Sequence, residues 1–190
     1  MPLNILPLAP ERVEDFFTFF DHVAFSDHPE WGCGCYCCFF HATDAAAWDM
    51  RTPEDNSAEA RRMILAGELR GLLAYDGDKP VGWLHYDLLG HLPGTKVFYG
   101  ELATEDAESA AIVCFTIAQN WRGQGVATRL LEAALSELKA QGVKRVEAYP
   151  VTEDDSAEHN YHGPLSLYHK FGFVTVKEAD HHALVEKQLS

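Results

Sequence analysis

Arg122-Gly123-Gln124-Gly125-Val126-Ala127 stands where an apolar run, AAIVCFTI, gives way to an amphipathic one, VATRLLEAAL. Two glycines at a strand-to-helix turn let the backbone come close to a ligand. The N–H groups of a first helical turn lack intrahelical partners, and the helix dipole adds partial positive charge. Together these make an anion cradle suited to a pyrophosphate. Residues 121 to 145 hold Arg122, Arg129, Lys139, Lys144 and Arg145 against Glu132 and Glu137, a local charge of +3 in a chain of −14. A polyanion meets the least repulsion there. The spacing is neither the GxGxxG dinucleotide fingerprint nor the GK[ST] of a nucleotide P-loop.

GCGCYCCFFH, residues 32 to 41, holds four of the five cysteines. A structural zinc site draws on two ligand pairs from separate segments, and only one packed cluster is present. If extended, Cys33, Cys35 and Cys37 share a face at roughly 6.6 Å per two residues, too wide for one zinc. A curled loop with His41 offers soft ligands without a second group, and a Cys37–Cys38 disulfide is strained. The expectation is small apolar thiols beside Trp31, Tyr36, Phe39 and Phe40, with no metal.

The elements that must hold these residues follow from periodicity and punctuation. LNILPLA reads as a strand. Pro10 opens a helix whose Val13, Phe16, Phe17 and Phe20 share a face. Residues 24 to 56 read as irregular. A helix is expected from Asn56, capped with Glu59, to Gly67. GLLAYD and VGWLHYDLL form a hairpin about GDKP, and residues 90 to 108 read as loop. AAIVCFTI is a buried strand. The helix from about 124 to 141 buries Val126, Leu130, Leu131, Ala134, Leu135 and Leu138. KRVEAYPV is a strand, PLSLYHKF a short helix, and FGFVTVKEADHHALVEKQL two closing strands. The order is mixed α/β, one domain over 1–190, with an atypical Cys- and aromatic-rich segment at 24–70 and the core at 71–190.

Composition bounds the function. A chain of 190 residues with 47% hydrophobic residues builds a sizeable core. A charge of −14 argues against nucleic acid, which needs a basic face. No apolar run reaches the roughly 18 residues of a membrane helix. MPLNILPLAPERVEDFF has no basic n-region before a long apolar run, and the cysteine usage is not that of a disulfide scaffold, so a cytoplasmic protein is expected.

Two motifs in order carry a resemblance. Strand-RGQGVA-helix resembles the acetyl-CoA motif [RQ]-x-x-G-x-[GA] of the GNAT superfamily of N-acetyltransferases, at Arg122, Gly125 and Ala127. LYHKFGF, residues 167 to 173, resembles the family's L-Y-x-K-x-G-F, with Tyr168 at the tyrosine. The resemblance spans about 71–190. It implies a twisted mixed sheet of six to seven strands flanked by helices, with two central parallel strands, ending at Ile117 and Pro150, splayed apart. It implies acetyl-CoA as co-substrate. The pantetheine arm would bond to backbone near Phe115 and Ile117, and the pyrophosphate to N–H groups of Gly123, Gln124, Gly125, Val126, Ala127 and Thr128, beside Arg122. Trp31, Tyr36, His85 and Tyr149 are the acceptor-side residues it suggests. A homodimer is an expectation from fold analogy alone.

The implied reaction is attack of a primary amine of a small molecule or peptide on the thioester, in a ternary complex. An alkylamine with a pKa of about 10 must lose a proton. Tyr168 is placed by the motif as the acid for the leaving thiolate. The family's strand glutamate is missing, and Glu108 is the nearest acid; His85, Asp87 or a chain of ordered waters are the other candidate bases. The family's asparagine seven residues before the tyrosine is Tyr161 here. A silent acyl-CoA-binding module on the same fold is the alternative.

Overall fold

The computed structural model describes residues 3–27, 34–152, 160–179 and 181–189. Among the described residues seven strands form one sheet: β1 (Asn4–Pro7), β2 (Gly71–Asp76), β3 (Lys79–Leu88), β4 (Ala110–Ile117), β5 (Arg145–Ala148), β6 (Val174–Ala179) and β7 (His182–Gln188), in the order β1-β2-β3-β4-β5-β7-β6. β4 and β5 run parallel, and the other neighbours are antiparallel. The helices are α1 (Val13–His22), α2 (Ala45–Asp49), α3 (Pro53–Ala66), α4 (Pro93–Tyr99), α5 (Val126–Ala140) and α6 (Leu165–Lys170). Among the described residues no helix is long and apolar enough to cross a membrane.

The 3.6-residue period of VATRLLEAALSEL sets one face of the sheet. Val126, Leu130, Leu131, Ala134, Leu135 and Leu138 of α5, the expected stripe, are buried against Leu72, Leu84, Ile112 and Val146. α1 covers the opposite face, with a wider stripe than expected: Phe16, Phe17, Phe19 and Phe20 are all buried. They pack with Met63 and Ile64 of α3 over Leu73, Tyr75 and Trp83.

Two expectations are corrected. α3 starts at Pro53, not Asn56. Thr52 and Asp55 cap each other's backbone N–H, and Pro53 is preset for the first turn. Asn56 is instead buried, its amide donating to the Gly34 carbonyl at 2.7 Å. Residues 90 to 108 are not all loop, since α4 lies within them. Its Gly94 is there for close approach: a Cβ would stand 2.7 Å from the Phe39 carbonyl oxygen and from the Phe40 Cα.

β4 positions the site. It pairs with β5 only from Ala110↔Val146 to Ile112↔Ala148, then runs on alone to Ile117 on that side. On its other side His85 faces Cys114 and Tyr86 faces Ile112, so Val113 is an extra residue, a β-bulge. The bulge and the short β5 open the expected splay.

Candidate active site

Beyond the splay, β4 enters a 3₁₀ turn at Gln119–Trp121 and then the glycine turn. Gly123 (φ +71) and Gly125 (φ +79) are left-handed, a conformation that glycine adopts without strain. A Cβ built on either meets nothing within 4 Å, so the turn faces open space. α5 has no side-chain cap, and its first backbone bond runs from the Arg129 N–H to the Gly125 carbonyl. The N–H groups of Val126, Ala127 and Thr128 therefore point out of the first turn. Arg122 departs from a simple phosphate ligand. Its guanidinium holds both oxygens of Asp27, at 2.6 and 3.3 Å, and its Nε donates to the Ile117 carbonyl at 3.0 Å. That carbonyl thus has a partner already. Gln124 turns its amide to the Asn120 carbonyl.

A cavity of ≈ 840 Å³ begins at this turn, with Arg122, Gly123 and Ala127 in its wall. It continues along Cys114, Phe115, Thr116 and Ile117, the unpaired stretch of β4. Its other lining rings are Phe20, Phe25, Phe39, Phe40, Trp48 and Tyr161. Phe115 and Ile117 belong to the α5 face and Cys114 and Phe20 to the opposite one. The cavity therefore passes through the sheet at the splay and joins its two sides.

The cysteine segment forms part of this wall through Cys35 and Cys37. It is not extended: Tyr36 (φ +42) and Cys37 (φ +59) make a left-handed turn. Burial pushes the Cys37 thiol well above its ordinary range and Cys38 up to about 12. The Trp83 indole N–H donates to the Cys37 sulfur at 3.0 Å. These are neutral thiols, poor nucleophiles and poor metal ligands. Among the described residues no group of three or more His, Cys, Asp or Glu is placed to hold a metal.

Several expected residues stand away from the cavity. Trp31 and Cys33 lie outside the described residues. Tyr36 turns its hydroxyl to Asp21, at 2.7 Å. Glu108 is exposed in the turn before β4, six residues, or about 20 Å of extended chain, from Cys114. Tyr149 is buried, stacked on Tyr99 at 4.5 Å, and donates to Glu147. His85 is fully buried behind the wall, its Nε2 3.4 Å from His41 Nε2 and its Nδ1 without a partner. Burial pushes His85 well below the ordinary histidine range. Asp87 binds Arg70, His91 and the Leu88 N–H through Oδ1. Tyr168 is fully buried, and its hydroxyl donates to the His162 carbonyl at 2.6 Å.

Sequence patterns do not single out the lining rings Phe20, Phe25 and Trp48 as site residues, nor the buried pair Tyr99 and His162. Aromatic spacing in CFFHATDAAAW is the available signal for Trp48. Nothing local marks Tyr99 or His162, which meet 63 residues apart.

The sequence matches the acetyltransferase (GNAT) family over residues 34–173. No curated protein matches. Among solved structures, an acetyltransferase from Thermus thermophilus shares 19% identity at a TM-score of 0.59, over 100% of this chain and 98% of that one. The PaiA N-acetyltransferase of Thermoplasma acidophilum, in complex with coenzyme A, shares 15% identity at 0.58, over 99% of each chain. The GNAT domain of S. lividans PAT gives 17% and 0.61, over 98% and 90%. At these identities the structures speak for the fold alone. The family match takes in the splayed strand, the glycine turn and the LYHKFGF helix in one span: the chain belongs to the acetyltransferase (GNAT) family.

Proposed function

We propose that the protein transfers an acetyl group from acetyl-CoA to the primary amine of a small apolar, ring-bearing acceptor, by direct attack in a ternary complex. One observation carries this reading. A single cavity runs through the sheet from the open glycine turn to a chamber of phenylalanines and a tryptophan. The turn fits a pyrophosphate, since both left-handed glycines face open space and the N–H groups of Val126, Ala127 and Thr128 point outward. Acetyl-CoA supplies the activated acyl group. The unpaired stretch of β4 beside Phe115 and Thr116 offers it backbone groups, and such an N–H can hold the developing oxyanion.

The acceptor class follows from what lines the far chamber. Among the described residues of the wall there is no carboxylate and no imidazole. An ammonium group would lose its hydration there without an anionic partner, so the chamber takes the neutral amine with an apolar body. The amine sheds its proton to solvent before it binds, and the rate is expected to rise with pH towards the amine's own pKa.

A panel of amines with acetyl-CoA, followed as released thiol, tests this. Arylalkylamines are expected to exceed polyamines, aminoglycosides and amino acids by tenfold or more in kcat/KM. Preference for a polycation would sink the acceptor class. CoA binding with no turnover of any amine would leave a silent acyl-CoA-binding module.

A further inference from the structure

Two tyrosines stand near the point where β4 leaves β5, and only one of them opens on the cavity. Tyr168, at the motif position, is 0% exposed, and its hydroxyl donates to the His162 carbonyl at 2.6 Å. It is absent from the cavity wall, in which Phe115 and Gly163 take part. A Cβ on Gly163 would stand 3.1 Å from the Phe115 ring and 3.5 Å from that of Tyr168, so Gly163 lies directly on both rings. Tyr161 is 37% exposed and lines the cavity with Phe40 and Cys114.

The surroundings of Tyr161 are fixed by a buried chain. His162 Nδ1 lies 3.0 Å from the Val113 carbonyl, which can only accept, so Nδ1 carries the proton and Nε2 is a lone pair. The Tyr99 hydroxyl donates to that Nε2 at 2.6 Å. The Tyr99 ring is clamped on Tyr149, and the Tyr161 ring lies 4.0 Å from His162. The Tyr99 hydroxyl is thus committed to His162, and the Tyr161 ring packs beside that pair.

We propose that Tyr161, and not Tyr168, is the catalytic hydroxyl of this chain, donating a hydrogen bond to the sulfur that leaves the acetyl group. The proposal rests on the acetyltransfer reading above. The amine nitrogen bonds to the acetyl carbon, and the C–S bond breaks with its electron pair going to sulfur. The Tyr161 O–H stays intact and hydrogen-bonds to that sulfur, and the proton lost by the amine nitrogen passes through solvent to the thiolate. Burial holds the Tyr161 hydroxyl up at about 12, so it carries its proton throughout the working range. A thiol pKa of about 8.5 makes Tyr161 a hydrogen-bond donor to sulfur in the transition state, with no free tyrosinate left behind.

Tyr161→Phe and Tyr168→Phe, compared on the best acceptor of the panel, test the assignment. For Tyr161→Phe, kcat is expected to fall roughly 10- to 100-fold, the loss of one hydrogen bond to a charged atom. KM for acetyl-CoA and CoA affinity by calorimetry should stay within about twofold, as for a group acting only in the transition state. For Tyr168→Phe, kcat should stay within about threefold while the melting temperature falls by roughly 2–10 °C, since a buried carbonyl loses its donor. Wild-type kcat in Tyr161→Phe, or a large loss confined to Tyr168→Phe, overturns the proposal while leaving acetyltransfer intact. Wild-type protein that binds CoA and releases no thiol with any amine removes the reading and this assignment with it.

Discussion

On one face of the sheet α5 lays Leu130, Leu131, Ala134 and Leu138 over Leu84, Ile112 and Val146. On the other, α1 and the turn at 34–38 lay phenylalanines and thiols around Trp83 and Cys114. The first face is mainly aliphatic, with Tyr86, Phe115, Tyr168 and Phe173 as its buried rings, and its helix has a period that matches its stripe. The second meets planar rings edge to face, as between Phe16 and Trp83 at 5.2 Å. Both buried side-chain atoms without a hydrogen-bond partner, His85 Nδ1 and Asp87 Oδ2, are on β3 behind this second face, among the described residues. The cavity's far chamber is there too. A close-packed aliphatic layer holds the sheet, and the ring layer, with its gaps and buried polar atoms, makes room for chemistry.

The sharpest way to break this contrast is to truncate both layers. Leu131→Ala is expected to cost about 2–5 kcal/mol, read as a drop in denaturant midpoint, because the α5 face has no slack. Phe39→Ala, from the partly exposed ring stacked on Phe98 at 3.8 Å, should cost less stability and raise the acceptor KM at least tenfold. Equal stability losses with an unchanged KM would erase the distinction.

A second test uses the histidines of the ring layer and its continuation. Burial pushes His85 well below its ordinary value and His162 down to about 3. Below pH 6.5 the unfolded chain takes up protons that the fold refuses. Stability from these groups is therefore full above pH 6.5 and is lost as pH falls towards their folded values. His85→Leu should flatten the fall in unfolding free energy between pH 6.5 and 5 by up to about 1.4 kcal/mol per pH unit. An unchanged slope in urea titrations would mean that His85 charges freely in the fold.

Gly125→Val probes the aliphatic side where it meets the ligand. No neighbour obstructs a Cβ there, so the penalty lies in the left-handed φ of +79 and in covering the outward N–H groups. CoA affinity should fall tenfold or more, about 1.4 kcal/mol. Unchanged calorimetric affinity would place the pyrophosphate elsewhere. The smallest effect is expected from chelation: excess chelator should leave kcat within experimental scatter. Stoichiometric metal whose removal abolishes turnover would recast the thiols of the ring layer.

The aliphatic layer is legible in the sequence because its signals are local. The stripe of α5, the strand-glycine-helix join and the two closing strands each lie within about twenty consecutive residues. The splay is implied by the family resemblance, and the cause of its geometry, the extra residue at Val113, has no local mark. The ring layer rests on distant pairs. His41 meets His85 across 44 residues and Tyr99 meets His162 across 63, so neither neighbour can be read beside its partner. Asn56 is a sound cap by type, but Thr52, Pro53 and Asp55 together make a stronger start. The motif gives Tyr168 its place on α6 and cannot show which way its hydroxyl points. That depends on the His162 carbonyl, in a segment where the sequence leaves the family pattern.

A strand sorts its side chains by odd and even, and β4 breaks that count once. Ala111 faces the ring layer and Ile112 faces α5; Val113 and Cys114 then both face the rings, and Phe115 returns to α5. Losing Val113 would restore plain alternation with every remaining side chain on its present face, while drawing the strand straight and closing the gap beside β5. Losing Phe115, two positions on, would leave the gap and bring Thr116 round to α5 and Ile117 to the rings, exchanging the lining of the passage in one step. Substitutions adjust the chamber by degrees, while changes of length act as switches, one for the opening and one for its lining. Among relatives, divergence of acceptor choice should accordingly accumulate in the rings and the turn at 34–41, with the residue count between Ala110 and Gly125 held constant.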